Sequence, residues 1–169
     1  MKKSDPRPYL YVLDDEPDQA MLVGLAAQRS GEFADVRTAI DSQLAYHHLL
    51  EVADDPEHRP SLIMIDWKMP RMHGADFAAA LQEHPELRNI PVIVMSNSGD
   101  EADRTLALEC GCKALYQKPS AFAELVDLLI QIRRQYCALR TPSGETPFTA
   151  RPDDSNFFAD RCGSEAPTF

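Results

Sequence analysis

Three short apolar runs constrain the fold of this chain more than any other feature. They span Tyr9–Leu13, Ser61–Ile65 and Pro91–Met95, and Val, Ile and Leu make up most of each run. Strands covered by helices on both faces have such near-continuous apolar sequences, whereas half-exposed strands alternate apolar and polar residues. The runs therefore predict parallel strands buried inside an α/β domain.

Segments with apolar residues at helical spacing lie between these runs and after them. The predicted helices are Ala20–Arg29, Leu44–Val52, Ala75–Gln82, Glu101–Glu109 and Ala121–Leu139. We expect Ser120 to cap the last of these helices. Two weaker strands are predicted at Val36–Ala39 and Lys113–Gln117. Five strands alternating with five helices indicate a doubly wound α/β fold with a parallel sheet.

Composition and charge narrow the functional classes. The chain has 169 residues, 44% of them hydrophobic, so it can bury the core of one domain with some length left over. Its formal net charge of -10 opposes binding to nucleic acid and to acidic membranes. No apolar run near the N-terminus is long enough for a signal sequence or a membrane span.

The cysteines lack the paired spacings of a zinc site. They are Cys110, Cys112, Cys137 and Cys162. Together with the missing signal sequence, this pattern fits a reduced compartment, so we expect a cytoplasmic protein.

The composition changes at Thr141. Residues 141–169 are rich in Pro, Gly, Ser and Thr and have no periodic apolar face. We expect a short N-terminal lead at 1–7, a folded domain at 8–140 and a flexible Pro-rich tail at 141–169. Four phenylalanines in the tail leave a docking segment as an alternative to a spacer.

Polar side chains follow the carboxyl ends of four of the five predicted strands. Asp14 and Asp15 follow the first strand, and Asp66 follows the third. Ser96 follows the fourth strand and Lys118 the fifth. In the common strand order 2-1-3-4-5 these residues meet in one crevice at the carboxyl edge of the sheet. Crowded carboxylates require a cation, and an all-oxygen ligand set favours Mg²⁺. Such a site can hold a phosphoryl group.

The motifs at these strand ends resemble the receiver domain of bacterial two-component response regulators. They are Asp14-Asp15, the run from Ile65 to Gly74 that includes Asp66-Trp67-Lys68-Met69-Pro70, Ser96, and Lys118-Pro119. The resemblance covers about residues 8–139 and implies a flavodoxin-like receiver fold of five βα units. The sequence Ser96-Asn97-Ser98, the polar loop before the third strand and the tail after the last helix resemble the small regulators found beside bacterial phytochromes or other sensor kinases more than a chemotaxis receiver.

The resemblance implies a role for each of these residues. Asp66 would accept a phosphoryl group from a phosphohistidine on a sensor histidine kinase or a histidine phosphotransfer protein. Ser96 and Lys118 would contact the phosphoryl oxygens. Gly74 would allow a tight turn after the third strand. A cis peptide bond at Lys118-Pro119 is common in the family.

The resemblance also implies a metal site. Asp15 and Asp66 would bind Mg²⁺ directly, together with the backbone carbonyl of Lys68. Asp14 would bind the ion through water. Trp67 is next to the acceptor in the sequence, so we expect its fluorescence to respond to metal or phosphoryl binding.

One departure from the family pattern concerns the output. The family often has Tyr or Phe three residues before the lysine, where this chain has Leu115 and places Tyr116 one position later. We still expect output from the surface of the fourth helix, fifth strand and fifth helix, through dimer formation or partner docking. Asn97, next to Ser96, predicts a long-lived phosphoryl group.

Three other functions fit these residues less well than a stand-alone receiver that is not a turnover enzyme. An aspartyl-phosphate phosphotransferase or phosphatase needs a second Asp at position 68, where this chain has Lys. A flavin site needs a Gly- and Ser-rich loop, where this chain has Asp14-Asp15-Glu16-Pro17. A degenerate receiver acting as a scaffold is disfavoured by the complete set of polar residues at the strand ends.

Overall fold

The computed structural model describes residues 5–137, in which five strands alternate with five helices. The strands are β1 (Tyr9–Leu13), β2 (Asp35–Ala39), β3 (Leu62–Asp66), β4 (Val92–Ser96) and β5 (Ala114–Gln117). The helices are α1 (Pro17–Ser30), α2 (Ser42–Glu51), α3 (Gly74–Glu83), α4 (Glu101–Glu109) and α5 (Phe122–Tyr136).

The strands form one parallel sheet in the order β2-β1-β3-β4-β5. This order and the predicted strands are confirmed, the strand bounds to within one residue. The register pairs Leu13 with Ile65 and Asp66 with Met95, so the carboxyl ends of β1, β3 and β4 lie at the same edge. Because the order reverses between β1 and β3, a crevice opens at that edge.

Two apolar layers cover the sheet, one on each face. Alternate strand residues such as Ile63 and Leu115 pack with residues of α2, α3 and α4. The intervening residues, such as Met64 and Ile93, pack with α1 and α5. All five residues of β1, β3 and β4 are buried, which explains why their sequences are continuously apolar.

Two helices begin more than one residue earlier than their apolar spacing predicted. α1 begins at Pro17 rather than Ala20, because proline fits the first helical turn, where its missing N–H is not needed. α2 begins at Ser42 rather than Leu44. The side chain of Asp41 caps α2 by accepting hydrogen bonds from the backbone N–H groups of Gln43 and Leu44.

Three expectations at and before α5 are wrong. Ser120 is not its cap: Ala121 holds that position and makes no side-chain hydrogen bond. The helix ends at Tyr136 rather than at the predicted bound, because Cys137 is already extended with φ of -124° and ψ of 121°. The Lys118-Pro119 peptide bond is trans. The predicted tail at 141–169 lies outside the described residues.

None of the helices in residues 5–137 combines the length and the apolar character that a bilayer span requires.

Candidate functional site

The predicted site residues meet at the carboxyl edge of the sheet. Asp14 and Asp15 follow β1 directly, and Asp66 is the last residue of β3. Ser96 is the last residue of β4, and Lys118 follows β5. The Lys118 N–H donates to the Ser96 carbonyl at 2.8 Å, which extends the β4–β5 ladder by one residue.

Lys118 joins two of the acidic side chains. Its Nζ lies 2.7 Å from Asp14 Oδ2 and 3.0 Å from Asp66 Oδ1. The lysine side chain is only 8% exposed, and the two carboxylates are also buried. Ion pairs of this kind are screened little by water, so the contact fixes the position of both carboxylates.

Asp14, Asp15 and Asp66 form an acidic cluster. One carboxylate oxygen from each lies within 4.8 Å of the others. Asp14 also accepts a hydrogen bond from the Glu16 N–H at 3.1 Å, whereas Asp15 has no hydrogen bond or ion pair to any residue in 5–137. Since Lys118 balances one of three negative charges, the cluster is left with two in excess. An oxygen donor set with that excess fits a hard divalent cation.

Burial and charge shift the ionisation of this site in opposite directions. Burial raises the pKa of Asp66, and the hydrogen bond from Lys118 offsets only part of that effect. Burial also disfavours the Lys118 ammonium, but hydrogen bonds to Asp14 and Asp66 outweigh it and raise the pKa of Lys118. The site therefore holds a firmly charged lysine beside a carboxylate that is harder to ionise than an exposed one.

Ser96 is buried and is engaged within its own loop. Its Oγ accepts a hydrogen bond from the Ser98 N–H at 3.3 Å and lies 3.4 Å from Ser98 Oγ. In residues 5–137 no hydrogen bond joins the Ser96 hydroxyl to Lys118 or Asp66. The serine thus lies at the predicted strand end, but its hydroxyl contacts Ser98 in the loop before α4.

Asp103 is a polar neighbour of the site that sequence reasoning missed. It lies in the first turn of α4, accepts a hydrogen bond from Ser98 Oγ at 3.3 Å and lies 3.7 Å from Lys68 Nζ. The only signal in the sequence was an acidic residue near the start of a helix that follows a strand end. Such residues are common, and nothing in their spacing indicates a contact with the loop after β3.

Gly74 is required by close packing rather than by its backbone angles. A Cβ atom at this position would lie 2.7 Å from Trp67 Cε3 and 2.9 Å from the Asp66 carbonyl oxygen. Its φ is not positive, so the reason given for this glycine from the sequence was incomplete. The Gly74 N–H donates to the Trp67 carbonyl at 3.0 Å, so the start of α3 is hydrogen-bonded to the residue that follows Asp66.

Trp67 is completely buried beside the acidic cluster. Its ring packs edge-on against His73, with a centroid separation of 4.8 Å. The indole N–H has no hydrogen-bond partner in residues 5–137. The environment of this single tryptophan therefore includes His73, in the segment that joins Asp66 to α3.

Solved structures share this fold. The phosphorylated cyanobacterial phytochrome response regulator RcpA is 23% identical with a TM-score of 0.68, covering 83% of this chain and 99% of that one. The Mn²⁺-bound form of the response regulator Rcp1 is 22% identical with a TM-score of 0.64, covering 79% of this chain and 99% of that one.

The curated proteins with similar sequences are longer than the region that matches this chain. The alkaline phosphatase synthesis transcriptional regulatory protein SphR of Synechococcus elongatus is 27% identical over 164 residues, which are 94% of this chain and 60% of that protein. The chain spans about half the length of the curated relatives it matches.

A protein-family model matches most of the chain. The model for the response regulator receiver domain matches residues 10–130, which include the acidic cluster, Ser96 and Lys118. Receiver domains of this family are phosphorylated by sensor kinases and bind Mg²⁺ at an acidic pocket. The chain therefore belongs to the response regulator receiver domain family.

Proposed function

We propose that this chain accepts a phosphoryl group on Asp66 from a phosphohistidine and signals through altered protein contacts. The observation that carries the proposal is the 3.0 Å contact between Lys118 Nζ and Asp66 Oδ1 inside a cluster of three carboxylates. A carboxylate held by a buried ammonium next to a divalent cation site is equipped to share a transferred phosphoryl charge.

The transfer forms one bond and breaks another. An Asp66 carboxylate oxygen forms the new O–P bond while the P–N bond to the donor histidine breaks. The electron pair of that bond stays on the imidazole nitrogen of the donor. Lys118 then pairs with a phosphoryl oxygen, and its raised pKa keeps it charged throughout.

The acidic cluster fits the Mg²⁺ that the family binds. Asp15 and Asp66 would hold the ion directly with the Lys68 backbone carbonyl, and Asp14 would hold it through water. Asp14 is already bonded to Lys118, whereas Asp15 has no such partner in the described part of the chain, which favours Asp15 as the stronger ligand. When bound, the ion would neutralise charge on the carboxylates and the phosphoryl group.

Ser96 is the proposed link between the phosphoryl group and the rest of the domain. Its hydroxyl would leave Ser98 and turn to a phosphoryl oxygen, drawing the loop after β4 inward. This movement places a hydrogen-bond donor against the negative charge that phosphorylation adds at Asp66.

The output would leave through the surface formed by α4, β5 and α5. Leu106 and Leu108 on α4 and Phe122 on α5 are all more than 40% exposed, as expected of a surface that docks a partner or a second copy.

We propose a stand-alone cytoplasmic regulator or relay carrier rather than a turnover enzyme. Its donor would be a phytochrome-type or other sensor histidine kinase, or a histidine phosphotransfer protein. The charge of -10 disfavours nucleic acid and membranes as partners.

A panel of autophosphorylated histidine kinases tests this function. Each kinase is incubated briefly with the chain and Mg²⁺, and intact mass is recorded. We expect one kinase to transfer a single phosphoryl group within minutes, and EDTA to prevent the transfer. A chain that no donor labels, including small donors such as acetyl phosphate, would contradict the proposal.

A further inference from the structure

A chain of polar contacts runs from the end of β4 into α4. Ser96 Oγ accepts from the Ser98 N–H, and Ser98 Oγ donates to Asp103 Oδ2 at 3.3 Å. The same Asp103 oxygen lies 3.7 Å from Lys68 Nζ. Asp103 is thus connected both to the hydroxyl proposed as the switch and to the loop that follows Asp66.

The Ser98 contact is the more sheltered of the two side-chain contacts that Asp103 makes in residues 5–137. The Lys68 side chain is 65% exposed, so water and salt weaken that ion pair. The Asp103 side chain is only 19% exposed, and Ser96 is buried. A hydrogen bond to a charged acceptor in such a sheltered place contributes more than an exposed ion pair.

In residues 5–137 no side chain of β5 is hydrogen-bonded to the Ser96 hydroxyl. Gln117, which pairs with Ser96 in the sheet, donates to the Asn97 carbonyl instead. Leu115 is buried in the layer formed with α2, α3 and α4 and has no hydrogen-bonding side chain. Tyr116 faces the opposite layer, where its hydroxyl lies 3.4 Å from that of Tyr136. The resting position of Ser96 is therefore defined by Ser98 and, through it, by Asp103.

We propose that Asp103 is a positioning residue for the switch. Through Ser98 it keeps the Ser96 hydroxyl in contact with the loop before α4 and so lowers the fraction of unphosphorylated molecules in which Ser96 faces Asp66. This inference rests on the proposed function, because the position of Ser96 affects the reaction only if Asp66 is phosphorylated. When Ser96 turns to the phosphoryl group, Ser98 loses a partner and its contact with α4 is free to rearrange.

Amide hydrogen exchange tests the resting contact without phosphorylation. The Ser98 N–H donates to Ser96 Oγ, so its exchange rate reports how often that bond opens. In Asp103→Ala we expect about fivefold faster exchange at Ser98, the change that one hydrogen bond of ordinary net strength supports. Asp103→Asn keeps an oxygen for Ser98 and should remain within about twofold of the parent.

Glu101 supplies a matched control for this measurement. It is a neighbouring acidic residue in the same turn of α4, and its carboxylate lies 3.7 Å from Arg104. Glu101→Gln should leave Ser98 exchange unchanged. Unchanged exchange in Asp103→Ala, or equal acceleration in Glu101→Gln, would overturn the positioning role.

Phosphorylation by acetyl phosphate tests the effect on reactivity. The rate should be proportional to the population of the reactive conformer, so we expect Asp103→Ala to be labelled about fivefold faster than the parent. Ser98→Ala should accelerate labelling similarly, and the double variant no further, because both changes break one path.

The labelling experiment distinguishes a failure of the Asp103 role from a failure of the proposed function. Normal labelling at an unchanged rate in Asp103→Ala, or effects of the two variants that simply add, would overturn the role of Asp103 alone. Absence of labelling in every variant and in the parent would overturn the proposed function together with the switch.

Discussion

Lys118 Nζ lies 3.0 Å from Asp66 Oδ1, and both side chains are at most 10% exposed. The two residues come from separate βα units and meet because parallel strands end at one edge of the sheet. The proposed acceptor is therefore paired with a cation before any phosphoryl group arrives. Removing that cation leaves two buried carboxylates, Asp14 and Asp66, without their shared partner.

Lys118→Met is predicted to destabilise the domain in the absence of divalent cations. Breaking a buried ion pair from one side lowers the free energy of unfolding by about 3 kcal/mol. Urea unfolding with EDTA measures this loss, and added Mg²⁺ should restore part of it. A variant as stable as the parent in EDTA would show that the Lys118 pairing contributes nothing to the fold.

Mg²⁺ affinity is predicted to depend on Asp15 more than on Asp14. Direct ligation contributes more than ligation through water, and Asp14 is already paired with Lys118. Because Trp67 is the single tryptophan and is buried next to Asp66, its fluorescence should report the titration. We expect Asp15→Ala to weaken binding by about tenfold or more and Asp14→Ala to weaken it less.

Asp18→Ala is the control for that titration. Asp18 is exposed in the first turn of α1 and lies outside the acidic cluster. Its removal should leave Mg²⁺ affinity unchanged. Parent-like affinity in Asp15→Ala would refute the proposed ligand roles.

Ser96 and Tyr116 are predicted to differ in their effect on signalling. Ser96→Ala should reach the same final extent of labelling at Asp66, although more slowly because no hydroxyl contacts the phosphoryl group. It should weaken the phosphorylation-dependent change in association seen by analytical ultracentrifugation. Tyr116→Phe should alter neither, because the ring lies on the α1 and α5 side of the sheet. A coupling defect in Tyr116→Phe with normal coupling in Ser96→Ala would reverse this assignment.

Stability is predicted to fall at alkaline pH. Burial raises the pKa of the Cys112 and Cys137 thiols from 9.0 to about 12 and that of Tyr11 from 10.0 to about 12. Their folded pKa values lie above the unfolded ones, so this stabilisation is complete below pH 9 and is lost as pH rises towards 12. Each thiol should contribute a slope on the order of 1 kcal/mol per pH unit in that range.

Urea midpoints between pH 8 and pH 11 measure this loss. Cys112→Ala lowers stability at every pH, because it opens a space in the core, but it should flatten the alkaline slope. A slope as steep as that of the parent would mean that Cys112 does not titrate as its burial predicts.

The strand ends could be predicted from the sequence because each is marked by neighbouring residues of the chain. A strand that is buried on both faces must be apolar, so the polar residue that ends it marks the carboxyl edge of the sheet. Asp66 and Ser96 could be placed this way once the strand order was known. The same logic assigned Leu115 and Tyr116 to opposite faces, since side chains alternate along a strand.

The features that could not be predicted depend on packing between elements. Gly74 is needed because the Trp67 ring and the Asp66 carbonyl lie close to it, a contact between α3 and its own preceding loop. The contact between Ser98 and Asp103 depends on how α4 approaches β4. Ser120 had the residue type of a cap, but the chain entered the helix one residue later.

The most direct test of the central claim compares the parent with Asp66→Asn. Both proteins are incubated with acetyl phosphate and Mg²⁺, and intact mass and peptide mapping locate any phosphoryl group. The parent should gain one phosphoryl group on the peptide that contains Asp66, and Asp66→Asn should gain none, because an amide is not a nucleophile for this transfer. Stoichiometric labelling of Asp66→Asn, or a phosphoryl group mapped to another residue of the parent, would contradict the account.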